Sequence, residues 1–191
     1  MPRSLRPELA GGIHHVYARG AAKQQIFLDD LDRRRYLSLL ARVTNRMAWR
    51  CLAYCLMGNH MHLMIETPQP NLGRGMQRLQ GTYAQAFNLR HEAAGHVFGA
   101  RYGSTSVFTD PQLWITAAYI ARNPVEAGFC AAPDAWPWSS FNAIVTADYP
   151  AWLDAPRLLS YSPRPAAIRF RSTASSSLHN LKGSDPFRLL G

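Results

Sequence analysis

Acidic side chains are scarce in this chain: 12 Asp and Glu stand against 21 Lys and Arg, a formal net charge of +9. Nearly all of the basic excess is arginine, and lysine is almost absent. Cysteine is scarce too. Three thiols, an odd number, make no disulfide framework. Cys51 and Cys55, read on one regular strand, would share a face with Cα atoms roughly 13 Å apart, beyond bridging distance. Long apolar runs are missing. The longest, Leu52 to Met57, is far too short to span a bilayer. Met1 to Gly12 has no apolar signal core. These absences exclude a disulfide-stapled or helical membrane protein and lead us to expect a soluble, cytoplasmic protein in a reducing compartment.

The arginine surplus carries positive information. Arginine makes bidentate contacts to phosphate and stacks on bases, so it favours a nucleic-acid partner over charge for solubility alone. A genome-wide arginine bias is the bland alternative. A chain of 191 residues suffices for one domain with a sizeable core.

Along the chain, Gly11-Gly12 precedes a short strand from Ile13 to Gly20. Asp29 and Asp30 open a helix to about Trp49, with Leu31, Tyr36, Leu39, Leu40, Val43 and Met47 at helical spacing. The stretch from Cys51 to Ile65 reads as two strands meeting at Gly58-Asn59. Asn71 can cap a second helix to about His91. Gly95 to Phe108 is expected to be extended. A further helix starts at Asp110-Pro111 and is expected to stop at Arg122, because Asn123 precedes a proline. Trp136-Pro137-Trp138-Ser139-Ser140-Phe141 reads as packing cover. The order β-α-β-β-α-β is the ferredoxin-like α+β pattern, an antiparallel sheet with helices packed mainly on one face. The chain is expected to divide into an N-terminal arm (1–10), a folded domain (11–150) and a flexible extension (151–191), with the composition changing past about Leu159. Residues 161–191 hold five basic side chains against one acidic, as expected of a disordered basic tail.

His60 and His62, in Asn59-His60-Met61-His62-Leu63, are the most informative pair. On a strand they point to one face with Cα atoms roughly 6–7 Å apart, so both imidazoles can reach one metal ion. Alone, such a pair can equally be two half-buried strand histidines. Tyr119 and Asn123 add to it. Four apart, they project from one helix face, and if that face lies over the histidines, Asn123 offers an oxygen ligand beside a phenol. Tyrosine, with an ordinary pKa near 10, is a poor nucleophile until its target is polarised, which a divalent ion on a phosphate oxygen does. The set suits attack by Tyr119 on a DNA phosphodiester, leaving a phosphotyrosine and a free 3′-OH. Tyr102, in Arg101-Tyr102, is the rival tyrosine.

Asn59-His60-Met61-His62, Gly95-His96-Val97-Phe98 through Arg101-Tyr102, and Tyr119-Ile120-Ala121-Arg122-Asn123-Pro124-Val125 with Trp138-Ser139-Ser140 resemble the REP-associated tyrosine transposases. These belong to the single-tyrosine HUH (His-hydrophobic-His) transposase superfamily. Tyr17-Ala18-Arg19-Gly20 is similar to the family's first strand, and the likeness spans about Gly11 to Ile144. It implies a ferredoxin-like fold, a Mg²⁺ or Mn²⁺ ion, and cleavage or joining of single-stranded DNA near a hairpin. By residue it implies His60 and His62 as metal ligands, Tyr119 as nucleophile, and Asn123 where relatives place a polar ligand, often glutamine. The expected partner is single-stranded or hairpin DNA, with no membrane, for a monomer or homodimer.

Arg19, Arg74, Arg78, Arg90, Arg101 and Tyr102 are candidates for contact with DNA, the arginines through its backbone. His14 and His15 straddle a strand, so one of them faces the site side; both are expected to be structural. Two other functions use the same residues. One is a ferredoxin-like module that binds DNA or RNA hairpins without catalysis. The other is a metallohydrolase acting through metal-bound water.

Overall fold

The computed structural model describes residues 10–161. Four strands, β1 (Gly12–Arg19), β2 (Arg50–Leu56), β3 (His60–Thr67) and β4 (Gly103–Val107), form one antiparallel sheet in the order β2-β3-β1-β4. The helices are α1 (Asp30–Met47), α2 (Leu72–Arg90), α3 (Asp110–Glu126), α4 (Ser140–Thr146) and α5 (Ala155–Ser160). The chain order is therefore the expected β-α-β-β-α-β, with helices added after β4. The N-terminal arm and the basic tail beyond residue 161 lie outside the described residues.

Every residue of β3 is buried, which requires cover on both faces of the sheet. Met61, Leu63 and Ile65 point to one face, where α1 and α2 supply the layer with Tyr36, Leu40, Met76, Leu79 and Tyr83. His60, His62, Met64 and Glu66 point to the other, against which α3 packs. The two long helices run antiparallel and are clamped at both ends. At the start of α1, Asp29 caps the helix by accepting from the Asp32 N–H at 3.0 Å, while Asp32 accepts from the Leu28 N–H at 2.9 Å. Arg90, at the end of α2, donates to Asp29 at 2.8 Å and to Asp32 at 2.6 Å, and His91 lies 3.0 Å from the Asp32 carboxylate. At the opposite ends, Trp49 Nε1 donates to Asn71 Oδ1 at 2.6 Å and Asn71 Nδ2 donates to the Met47 carbonyl at 3.0 Å. Asn71 thus precedes α2 as expected, but its side chain ties down α1 and makes no capping hydrogen bond.

Three local expectations are corrected. A bulge between Cys51 and Ala53 shifts the β2–β3 register, so Cys51 pairs with Ile65 and Cys55 with His62. The two cysteines therefore face opposite sides of the sheet; both are free and buried. Helix α3 does not stop before Pro124 but runs on to Glu126 with the proline inside it. Proline there withholds only the N–H that the Ile120 carbonyl would have accepted, and the buried Pro124 ring packs in exchange. Of the stretch Gly95 to Phe108, only Gly103–Val107 is strand; Val97 and Tyr102 are buried in the core.

The tryptophan-rich segment covers the β2 edge. Leu56 N–H donates to the Trp138 carbonyl at 2.9 Å, Trp136 Nε1 donates to the Leu56 carbonyl at 3.1 Å, and Cys55 bridges to Ser139. Backbone groups that an edge strand leaves open are thereby paired. Order also continues past residue 150. Leu153, Ala155 and Leu158 are buried, and Arg157 grips the buried Glu66 of β3 at 2.9 and 3.1 Å. Residues 151–161, expected to belong to the extension, thus pack on the sheet.

Candidate active site

The register of the central strands builds the site. Tyr17 of β1 pairs with His62, Arg19 with His60, and His15 with Met64, so His15, Tyr17, Arg19, His60 and His62 share one face. Gly103 of β4 pairs with Tyr17, and a Cβ there would lie 2.2 Å from the tyrosine ring. A side chain at that position would displace the ring that flanks His15 and His62, with centroids 5.4 and 6.4 Å away.

Helix α3 completes the arrangement from above. Asn123 Oδ1 lies 2.9 Å from His60 Nε2, and Asn123 Nδ2 lies 3.4 Å from His62 Nε2. One turn earlier, the Tyr119 ring stands edge-on to His62 and His15 at centroid distances of 5.3 and 5.8 Å. The expected meeting of the Tyr119/Asn123 face with the histidine pair is therefore present, within one chain. Two residues that sequence reasoning did not assign to the site are also in it. His15 Nε2 lies 3.0 Å from His62 Nδ1, and Asn59 Oδ1 lies 2.7 Å from His60 Nδ1. The alternation of β1 allowed one of His14 and His15 to face the site. The residue that does so is His15, while His14 lies 3.5 Å from Ser106 Oγ on the other side of the strand.

Burial sets the charge of these groups. His62 is held well below the ordinary histidine pKa, first by burial and then by the positive potentials of His15, His60 and Arg19. Burial lowers His15 to about 4. At neutral pH both rings are neutral, the form in which imidazole binds a metal. His60 Nε2, His62 Nε2 and Asn123 Oδ1 converge as two imidazole nitrogens and an amide oxygen. Such a set fits a divalent ion whose remaining positions are open to water or substrate. Among the described residues, no group of three His, Cys, Asp or Glu side chains could hold a metal. The fit therefore depends on the amide of Asn123.

The DNA-contact candidates separate by position. Arg19 adjoins the site. Arg74 and Arg78 are exposed on α2, on the far side of the sheet, and Arg101 is exposed in the loop before β4. Arg90 is not available for phosphate, because its guanidinium is committed to Asp29 and Asp32. Tyr102 is 7% exposed and packed in the core, so it offers no ring to a base and is no rival to Tyr119.

Against known protein families, residues 11–123 match the model for IS200-like transposases. The chain belongs to that family. The matched span covers more than half of this transposase and ends on Asn123, the last residue of the constellation. Among solved structures, it is similar to a REP-associated tyrosine transposase bound to a REP hairpin, with 17% identity and a TM-score of 0.67 over 78% of this chain and 89% of that one. A transposase structure from Deinococcus radiodurans R1 also aligns, with 16% identity and a TM-score of 0.43 over 66% of this chain and 95% of that one. Only the first is close enough to speak to the fold, and it agrees with the ferredoxin-like sheet described above. A comparison with curated proteins gives no match. No helix among the described residues is long and apolar enough to cross a membrane.

Proposed function

We propose that this transposase is a metal-dependent single-stranded DNA endonuclease and strand transferase of the REP-associated type, cutting beside a hairpin through a covalent link to Tyr119. The observation that carries the reading is the α3 face: Asn123 bridges His60 and His62 while Tyr119, one turn away, stands against His62. The structural relative's bound REP hairpin supports the substrate class.

His60, His62 and Asn123 would hold Mg²⁺ or Mn²⁺, which when bound supplies polarisation of a phosphate oxygen. The chain's own groups do the rest. Arg19 adds positive potential at the site, favourable to a phosphodiester. Helix α3 fixes the Tyr119 ring against two buried imidazoles, which limits its motion before attack. Tyr119 Oη then bonds to phosphorus as the P–O3′ bond breaks; the phenol loses a proton and the departing 3′-oxygen gains one. The link formed is a phosphodiester, so its energy is kept and a second 3′-OH can reverse the step to join strands.

The test is incubation with Mn²⁺ and 5′- or 3′-labelled hairpin oligonucleotides carrying single-stranded flanks. Wild type should give a denaturant-resistant adduct, and Tyr119→Phe should give none. His60→Ala should lose cleavage while keeping most DNA binding. Cleavage that survives Tyr119→Phe with no adduct would indicate a metal-bound water nucleophile. Binding unchanged in EDTA, with no cleavage of any substrate, would indicate a non-catalytic hairpin-binding module.

A further inference from the structure

Basic side chains gather where β1 ends beside the site. Arg19 pairs with His60 across the strands, and the loop that follows Arg19 carries Lys23. That loop folds back on β3: Asn59 Nδ2 donates to the Lys23 carbonyl at 3.2 Å, while Asn59 Oδ1 lies 2.7 Å from His60 Nδ1. On the other side of β1, Phe98 bridges to Gly20 and Gly103 pairs with Tyr17. The short loop between them, which carries Arg101, is thus pinned at both ends. Gly99 N–H donates to the Arg19 carbonyl and Ala21 N–H to the Val97 carbonyl, both at 3.0 Å, and Gln24 Nε2 donates to the His96 carbonyl at 3.2 Å. The two loops are therefore stitched to the strand end and to each other. Residues 19–28, 58–65 and 93–108, which build this end, contain no Asp or Glu. Lys23 and Arg101 are exposed, and among the described residues neither enters an ion pair.

The backbone at Lys23 is a second, independent observation. Ala22 and Lys23 have φ of 49° and 62°, two successive side chains in the left-handed region that glycine and asparagine tolerate best. Both are exposed, so no burial of their side chains compensates the strain. Such conformations cluster at ligand clamps and active sites.

We propose that Lys23 and Arg101, with Arg19 on the strand between them, form a rim that grips the phosphate backbone of the single strand leading from the hairpin to the scissile bond. The loops present fixed positive charge beside His60, and no carboxylate of their own repels a polyanion. Contacts of this kind set the register of the strand over the site without reading its sequence.

The inference rests on the single-stranded DNA reading, but its test needs neither metal nor cleavage. Binding of the full-length protein in EDTA is followed against salt with two probes, a hairpin with single-stranded flanks and the same hairpin without them. On the flanked probe, Lys23→Asn and Arg101→Gln should each lower the slope of log K against log salt by about 0.7, and together by about 1.4, the release expected for single-strand phosphates. On the unflanked probe the slope should stay as in wild type. Lys23→Arg, which keeps the charge, should keep the wild-type slope on both. Because asparagine suits the left-handed backbone better than lysine, Lys23→Asn should match or exceed the wild-type thermal midpoint. An undiminished slope in the double variant would overturn the rim. So would a lowered midpoint in Lys23→Asn with an equal loss of affinity in Lys23→Arg, which would make Lys23 a structural part of its loop. An equal fall on the unflanked probe would place the duplex stem there and overturn the assignment to the single strand. If the slopes change as stated while wild type forms no adduct with Mn²⁺, the catalytic reading fails and the rim stands; if wild type binds neither probe, both fail.

Discussion

In the proposed metal site Asn123 is the residue on which the donor set turns, because its amide oxygen would convert an imidazole pair into a three-donor set. Removing it should weaken Mn²⁺ binding by at least about tenfold and lower the rate of adduct formation with it. Asn123→Asp should restore binding, since a carboxylate keeps the oxygen and adds charge, whereas Asn123→Leu should not; titration of Mn²⁺ into each variant decides. Loss of cleavage in Asn123→Ala with unchanged Mn²⁺ affinity would remove Asn123 from the ligands. At this scale the sequence was partly legible. His60, His62, Tyr119 and Asn123 announce themselves by spacing, two on a strand and four on a helix. His15 does not, because what brings it in is cross-strand register, while Asn59 is the neighbour of His60 in the chain and is turned to it by the Lys23 carbonyl. Tyr17 opposite His62 puts His15 within reach, and that pairing joins residues 45 apart in the chain. Tyr102 misled for a related reason: an Arg-Tyr pair in a loop looks solvent-facing until the core closes over it.

Elements hold the site through their ends. The clamp of Arg90 and His91 on Asp29 and Asp32 joins α1 to α2, and Asp32 is 2% exposed. Asp32→Ala leaves Arg90, His91 and the Leu28 N–H short of an acceptor and should cost about 2–4 kcal/mol in chemical denaturation. The clamp also predicts acid behaviour. Hydrogen bonds from Arg90, foremost, hold the Asp29 carboxyl well below the usual carboxylate range. A depressed folded-state pKa gives stability that is present above the unfolded value of about 3.9 and is lost as pH falls below it. Wild type should therefore lose more stability than Arg90→Ala between about pH 4 and pH 2, so the gap between their denaturation midpoints should narrow. At the other end of the layer, a Cβ on Gly75 would lie 2.0 Å from the Trp49 ring. Gly75→Ala improves helix propensity by about 1 kcal/mol, yet it should lower the thermal midpoint, because a bulky indole held by Asn71 must move. Strong periodicity made α1, α2 and the central strands readable. The continuation of α3 through Pro124 was not, since a proline in the last turn costs only one hydrogen bond when its ring is buried.

Over the whole molecule, the exposed arginines of α1 and α2 and the candidate site lie on opposite faces of one sheet. Between Arg33 and His91 the sequence holds nine arginines and a single acid, Glu66, which Arg157 neutralises. Arg42 and Arg46 are exposed on the C-terminal half of α1, and Arg74 and Arg78 on the N-terminal half of α2. Since the helices run antiparallel, these four lie at the same end of the helical layer, remote from Tyr119. A polyanion bound there is held without touching the reacting phosphate. Replacing Arg74 and Arg78 together by Gln should weaken hairpin binding and reduce the slope of log K against log salt by about 1.5–2, the release expected for two phosphate contacts. Adduct formation at saturating DNA should be unchanged. His60→Ala should do the reverse, abolishing the adduct while leaving the salt slope as it was. Arg90→Ala provides the internal control: its guanidinium is already paired, so it should lower stability and leave the slope alone. A double Gln variant with an undiminished salt slope would mean that the arginine surplus on α2 is solvation and that the DNA lies wholly on the histidine face.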